Sequence, residues 1–162
     1  MHRSISSSEL LSIDNPIGKN LWKTDRGSRV TWTSPIIAKI QGRYQAIVSS
    51  NGSVDGYDQS NCKILWTYKC ISCSTILSPP VVDNRIFVGE QGKSTAFCIA
   101  FPETFPMGEY KILWQTADAG VHYASQLSHG NKLYTVGKLG AIHCVDLDTG
   151  ETRFSGKSTD IY

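Results

Sequence analysis

The stretch Cys144-Val145-Asp146-Leu147-Asp148-Thr149-Gly150-Glu151-Thr152-Arg153-Phe154 decides the fold, because its spacing returns twice upstream. Phe154 follows Asp146 by eight residues, as Trp66 follows Asp58 and Trp22 follows Asp14. The tails match as well: Gly18-Lys19-Asn20-Leu21-Trp22, then Lys63-Ile64-Leu65-Trp66, then Lys111-Ile112-Leu113-Trp114, the last without its Asp. With Trp22, Trp66, Trp114 and Phe154 as markers, the intervals are 44, 48 and 40 residues.

A four-stranded propeller blade takes ~40–50 residues per repeat. Helical repeats have similar periods, but here the segments between markers alternate with period two and are rich in β-branched and aromatic residues, which selects strands. The reading is all-β: a partial β-propeller of about three four-stranded blades plus one terminal strand, not a closed ring by itself. Residues 1–13 read as a polar N-terminal segment and 14–24 as the last strand of a truncated blade. Blade 1 spans 30–68, blade 2 spans 76–116 with an enlarged loop at 101–110, blade 3 spans 121–154, and 155–162 is a polar tail opening a next unit. Ser34-Pro35 and Ser78-Pro79 open their blades where Pro is tolerated, at the start of a strand. Asn51-Gly52 is the strongest hairpin signal.

Each repeat residue has a physical task. A Trp or Phe on the last strand buries ~150–250 Å² and wedges neighbouring sheets together, its indole N–H expected to find a carbonyl of the next blade. Asp eight positions earlier closes an Asx turn, and Gly supplies a positive φ. Thr149-Gly150 is the best copy of that turn; Asn61-Cys62 in its place weakens the turn of blade 1. The structural set is therefore Asp14, Gly18, Trp22, Asp58, Trp66, Trp114, Asp146, Thr149, Gly150 and Phe154.

Other features narrow the function. Net charge is +2 without a basic block, which argues against nucleic acid, and no apolar run approaches a membrane span. A content of 40% hydrophobic and 19% charged residues is that of a globular chain. Met1 to Leu11 lacks the apolar core of a secretory signal, so the chain as written is expected to stay in the cytoplasm. Five cysteines are too few for a disulfide scaffold. Cys70-Ile71-Ser72-Cys73 has the spacing of a redox pair or half a zinc site, yet no second such motif follows, and an inert pair or an incidental disulfide is the expectation. Cys62, Cys98 and Cys144 stand where a small apolar residue fits. His122, His129 and His143 form no ligand pair, and the repeated Asp residues are turn formers, one per blade. No catalytic, cofactor-binding or metal residue is assigned.

The pattern of Gly56 to Trp66 and Cys144 to Phe154 resembles Ala-x-Asp-x-x-Thr-Gly-Lys-x-x-Trp, the signature of the pyrroloquinoline-quinone-like (PQQ-like) propeller repeat of quinoprotein alcohol dehydrogenases and BamB-like assembly factors. Asp14 to Trp22 resembles its latter part, with Ile17 for Thr; Asn61 and Cys62, and Glu151 and Phe154, are departures. The resemblance covers roughly residues 12 to 155. It implies a ring of about eight blades, which three units cannot close, so the chain is expected to be a fragment of a longer propeller. It also implies a non-catalytic scaffold whose partner is another protein or the missing blades, with self-assembly into a ring as the bland alternative. Enzymatic members use PQQ and calcium held by a carboxylate set, often beside an adjacent Cys-Cys pair. No such pair occurs here, so cofactors are expected only in a full-length enzymatic parent. A fragment of a quinone-dependent alcohol or sugar dehydrogenase is the alternative, and an extracytoplasmic sensor or recognition module a third. Members generally work outside the cytoplasm, which implies a periplasmic or extracellular parent. The enlarged loop, through Phe101, Phe105, Met107 and Tyr110, is the expected contact surface, with packing on its own blade equally open.

Overall fold

The computed structural model describes residues 8–71, 77–90, 95–117, 119 and 124–157. Fourteen strands are assigned among them, in four antiparallel sheets. β1 (Glu9–Ile13) and β2 (Asn20–Asp25) form the first. Blade 1 is β3 (Ile36–Ile40), β4 (Arg43–Ser50), β5 (Gly52–Asp58) and β6 (Ile64–Ile71). Blade 2 is β7 (Val81–Val82), β8 (Arg85–Glu90), β9 (Thr95–Ala100) and β10 (Lys111–Thr116). Blade 3 is β11 (Leu127–His129), β12 (Lys132–Val136), β13 (Ala141–Asp146) and β14 (Thr152–Lys157). Each blade is a meander in which neighbours in sequence are neighbours in the sheet. The described residues form a partial propeller and no closed ring.

Three boundaries differ from the sequence reading, one of them the end of blade 1, where β6 runs on to Ile71 instead of stopping at 68. The polar segment 1–13 contains β1, so the truncated blade has two strands rather than one. Its apolar residues are split between faces: Leu10 is half-buried while Leu11 and Ile13 are exposed, which blurs the period-two signal. The tail does not begin at Ser155, because β14 runs on to Lys157, pairing Ser155 with His143 and Lys157 with Ala141. The Gln91-Gly92 turn, Val121 to Tyr123, and residues 158–162 lie outside the described residues.

One irregularity recurs in all four sheets. Where the third strand meets the last, the register slips by one residue immediately before the marker aromatic: Ser12 faces Trp22, Gly56 faces Trp66, Cys98 faces Trp114 and Cys144 faces Phe154. The extra residue is Leu21, Leu65, Leu113 or Arg153. This β-bulge increases local twist and turns the aromatic toward the following sheet. The Asp turns recur equally. The amide of Asp14, Asp58 or Asp146 bonds to the carbonyl five residues on, and its carbonyl accepts from the amide four residues on. That fourth residue is Gly18, Cys62 or Gly150, with φ of 65°, 59° and 75°. Cys62 thus takes a left-handed conformation that glycine adopts at no steric cost.

Three apolar layers join successive sheets. Leu10 and Trp22 pack on Ala46, Val48, Tyr57 and Cys62 of blade 1. Ile47, Val54, Trp66 and Tyr68 pack on Ile86, Phe97, Ile99 and Phe101 of blade 2. Phe87, Cys98 and Trp114 pack on Leu133, Val145 and Leu147 of blade 3. At the blade openings the Ser34 amide donates to the Ser78 hydroxyl (3.0 Å), and the Ser78 amide to the Ser125 hydroxyl (3.2 Å).

The turns carry a pH dependence. Asp58 is held below the usual carboxylate range by hydrogen bonds from the Ser60 hydroxyl and amide, and Asp146 by the Asp148 amide and the Arg153 guanidinium. A carboxyl lowered on folding adds stability above its unfolded pKa of about 3.9 and loses it as pH falls through the folded value. Urea midpoints should hold between about pH 5 and 7 and drop below about pH 4. Asp146→Asn, which keeps the turn's acceptor without the charge, should shrink that drop.

Candidate functional site

The blade-to-blade faces that bury the repeat aromatics also leave one such face bare. The Trp22 indole N–H donates to the Gln59 carbonyl and that of Trp114 to the Leu147 carbonyl, both at 2.9 Å and both on the next blade. Trp66 departs from this rule and donates to Oε1 of Gln45 in its own blade, at 2.7 Å. The counterpart of Gln59 and Leu147 in blade 2 is Phe101, whose ring lies against the Trp66 indole at 4.8 Å between centroids. Small residues floor these wedges. A Cβ on Gly56 would lie 2.1 Å from Nε1 of Trp66, and one on Gly150 would lie 2.6 Å from Cδ2 of Trp114.

Phe154 is placed like these tryptophans, and no described sheet follows it. The row Leu127, Tyr134, Cys144 and Phe154 runs in register across all four strands of blade 3. In blade 2 the matching row of Phe87, Cys98 and Trp114 is buried. On blade 3, Leu127 is 65% exposed and Phe154 53%, with Val136 alongside at 41%. Leu127, Val136 and Phe154 thus form an exposed apolar set around the half-buried Tyr134 and the buried Cys144, of the kind that marks an interaction surface.

The enlarged loop divides in two. Phe101 is fully buried and Tyr110 packs against Trp66, Tyr68 and Phe101, donating its hydroxyl to the Thr67 carbonyl. Gly108 (φ 84°) donates its amide to Oε1 of Gln41, whose Nε2 reaches the Pro102 carbonyl. These contacts fasten the loop to blade 1. Phe105 and Met107 stay exposed.

A buried charge cluster went unread in the sequence. Asp55, fully buried on β5, accepts from Nη1 of Arg29 (2.5 Å), the Ser53 hydroxyl (3.0 Å) and the Thr67 hydroxyl (2.9 Å), with Arg26 at 3.7 Å. Arg26 also donates to the Tyr57 hydroxyl (3.0 Å) and the Ser50 hydroxyl (3.1 Å). Burial pushes the Tyr57 phenol up. The cluster ties the segment after β2 to blade 1. A hydrophilic Asp amid alternating residues was its one signal, and its arginine partners lie 26 or more residues away.

The thiols sit in packed sites. Cys62, Cys98 and Cys144 are free and buried, and burial pushes Cys98 up to about 12. Thiolate is the reactive form, so mapped alkylation at pH 8 should leave Cys98 unmodified in the folded chain and label it once urea unfolds it. Of Cys70-Ile71-Ser72-Cys73, the first two residues end β6 while Ser72 and Cys73 lie outside the described residues, and so does His122. His129 is exposed on β11 and His143 half-buried on β13; the two are not brought together with a third ligand. A quinone and calcium site needs converging oxygen donors. Among the described residues no three His, Cys, Asp or Glu converge, Asp55 is saturated by its cationic and hydroxyl partners, and Asp58 and Asp146 are spent on their turns. The described residues do not fit that group.

The family model for the outer membrane protein assembly factor BamB matches residues 6–156. The chain belongs to the PQQ-like repeat family. BamB from Moraxella catarrhalis has a similar structure, with 17% identity and a TM-score of 0.64 over 86% of this chain and 40% of that one. Quinohemoprotein alcohol dehydrogenase from Comamonas testosteroni is similar at 17% identity and a TM-score of 0.70, over 96% of this chain and 33% of that one. No curated protein matches the sequence. The chain thus spans less than half the length of either solved structure, and its PQQ-like repeats account for the bulges, turns and wedges described above. Among the described residues no helix is long and apolar enough to cross a membrane.

Proposed function

We propose that the chain is a non-catalytic segment of a longer PQQ-like propeller that serves as a protein-binding scaffold in the manner of BamB. The observation that carries this reading is the outer face of blade 3, where Leu127, Val136 and Phe154 stand exposed although the matching row of Phe87, Cys98 and Trp114 one blade earlier is covered by a following blade. The face calls for a further blade, and the rigid array then presents loops for partners, with the exposed Phe105 and Met107 as contact residues. The segment carries no cofactor of its own, and the whole protein works outside the cytoplasm. A dehydrogenase parent would need its quinone and calcium ligands in other blades.

Sedimentation and dye binding test the reading. The isolated chain should self-associate or bind an apolar dye, and Leu127→Asp combined with Phe154→Asp should abolish both while leaving the far-ultraviolet spectrum unchanged. A monodisperse, dye-silent monomer that unfolds cooperatively would overturn it. Met107→Asp should weaken capture of any partner that the full propeller binds without shifting its melting temperature.

A further inference from the structure

The cluster around Asp55 carries more positive charge than negative. Arg26 and Arg29 both approach this one carboxylate, at 3.7 and 2.5 Å, and among the described residues neither pairs with another. Asp55 and Arg26 are almost wholly withdrawn from water, so the surplus lies beside a buried pair, where an unbalanced charge is costly. Arg29 is the member that meets solvent, at 32% exposure. Both hydrogens of its Nη1 are taken, one by the Ser53 hydroxyl and one by Asp55. Its Nε and Nη2 remain for another partner.

Arg29 borders two cavities of opposite character. The groove beside β1, of about 410 Å³, has apolar walls in Leu10, Val30, Trp32, Pro35 and Val48. The other cavity, of about 270 Å³, has none: it is bounded by the Asn51-Gly52 turn, by Arg29 and Lys69, and by the hydroxyl-bearing Ser28, Ser53 and Thr67. Asp55 is not among its walls, although the Ser53 and Thr67 hydroxyls that donate to Asp55 are. Two cations and a primary amide around a space without a carboxylate or a large apolar side chain select an anion.

We propose that this cavity binds a tetrahedral oxyanion, as a phosphate ion or the phosphoryl group of a small molecule, between Arg29 and Lys69 at the Asn51-Gly52 turn. The volume lies below the ~300–1,000 Å³ of sites that enclose a drug-sized molecule, so it suits a small charged group. The donor set selects its shape. A carboxylate offers two oxygens in one plane, and the fork of Arg29 alone uses both. Lys69 and Asn51, both exposed, bring further donors that only a group with more oxygens can meet. The three donors also come from separate elements: Arg29 from the segment between β2 and β3, Asn51 from the turn between β4 and β5, and Lys69 from β6. A bound oxyanion therefore balances the surplus charge and braces the joint that Asp55 holds from the other side.

The test titrates inorganic phosphate into the full chain at constant ionic strength and about pH 8, where a phosphoryl group is dianionic. The amide resonances of Gly52 and Ser53 should shift and saturate, with half-saturation near about 1 mM. At about ten times that concentration the unfolded-to-folded ratio in urea should fall about tenfold, with no change in chloride of equal ionic strength. Lys69→Met, at an exposed position, should raise the half-saturation at least about tenfold, and Arg29→Met should do so wherever it folds. Lys63→Met removes the same charge before the other end of β6 and should leave binding unchanged. Glycerol phosphate separates the two sources: binding at least as tight as that of phosphate assigns the site to the phosphoryl group of a larger molecule, and binding of phosphate alone assigns it to the free ion. No saturation by either below about 20 mM, saturation by acetate where phosphate saturates, or equal losses in Lys63→Met and Lys69→Met would overturn the proposal. Leu127→Asp with Phe154→Asp lies on blade 3 and leaves this cavity intact, so the outcome here is independent of the scaffold reading.

Discussion

Alanine at Trp66 or Trp114 should lower the unfolding free energy by about 3–5 kcal/mol, whereas alanine at Phe154 should change it by less than about 1 kcal/mol. The three residues occupy one position of the repeat, so the contrast isolates what a following blade contributes. Trp66 is 5% exposed and meets Phe101 and Tyr110 at 4.8 and 6.2 Å between centroids. Trp114 is 8% exposed, meets Phe87 at 5.9 Å and donates to the Leu147 carbonyl. Truncating either leaves a cavity between two sheets and, at Trp114, an unmet carbonyl. Phe154 has lost little water to begin with. Trp22, half-buried against blade 1, should fall between them. Urea unfolding read by circular dichroism gives the four values. Equal costs at Trp114 and Phe154 would mean that the aromatic stabilises its own sheet and not the seam.

The same wedge shows why part of the fold was legible and part was not. Asp58 to Trp66 and Asp146 to Phe154 are local devices, in which turn chemistry, bulge and aromatic lie within nine residues, and the chain displays them openly. β1 had a local signal too: Ser12-Ile13-Asp14 stands where Gly56-Tyr57-Asp58 and Cys144-Val145-Asp146 stand, and counting back two more residues from Asp14 exposes the third strand. Its mixed faces hid it. What spacing does not encode is partnership across blades. Trp66 turns to Gln45 because a ring at Phe101 fills the place of the next blade's turn, a consequence of the insertion at 101–110. The same insertion draws Phe101 and Tyr110 inward and leaves Phe105 and Met107 outside, a division that apolarity alone does not predict. Cys62 accepts a left-handed backbone because the turn's hydrogen bonds fix it there, whatever its own preference.

Asp55→Ala should cost about 3–5 kcal/mol, as much as the loss of a buried tryptophan, although it deletes only a short polar side chain. Asp55 is fully buried, and its side chain meets two guanidiniums, Arg29 at 2.5 Å and Arg26 at 3.7 Å, of which Arg26 is itself 3% exposed. Removing the carboxylate strands Arg26 in a site where, among the described residues, the Tyr57 and Ser50 hydroxyls remain as its acceptors, so the penalty is that of a buried unpaired cation and not of a lost contact. Arg29 is 32% exposed and has a cheaper route to water. Hence Arg29→Met should cost less than Asp55→Ala, and pairing Arg26→Met with Asp55→Leu should recover much of the loss, because an apolar pair of similar volume avoids the desolvation altogether. The local consequence is as specific. Arg26 and Arg29 hold the segment between β2 and β3, which forms one wall of the groove beside β1, so hydrogen exchange in Asp55→Ala should rise first at residues 26–33 and only later in β4 and β5. If exchange rose uniformly, the cluster would be holding blade 1 itself together, and the groove wall would owe its position to packing of Leu10 and Trp22 alone.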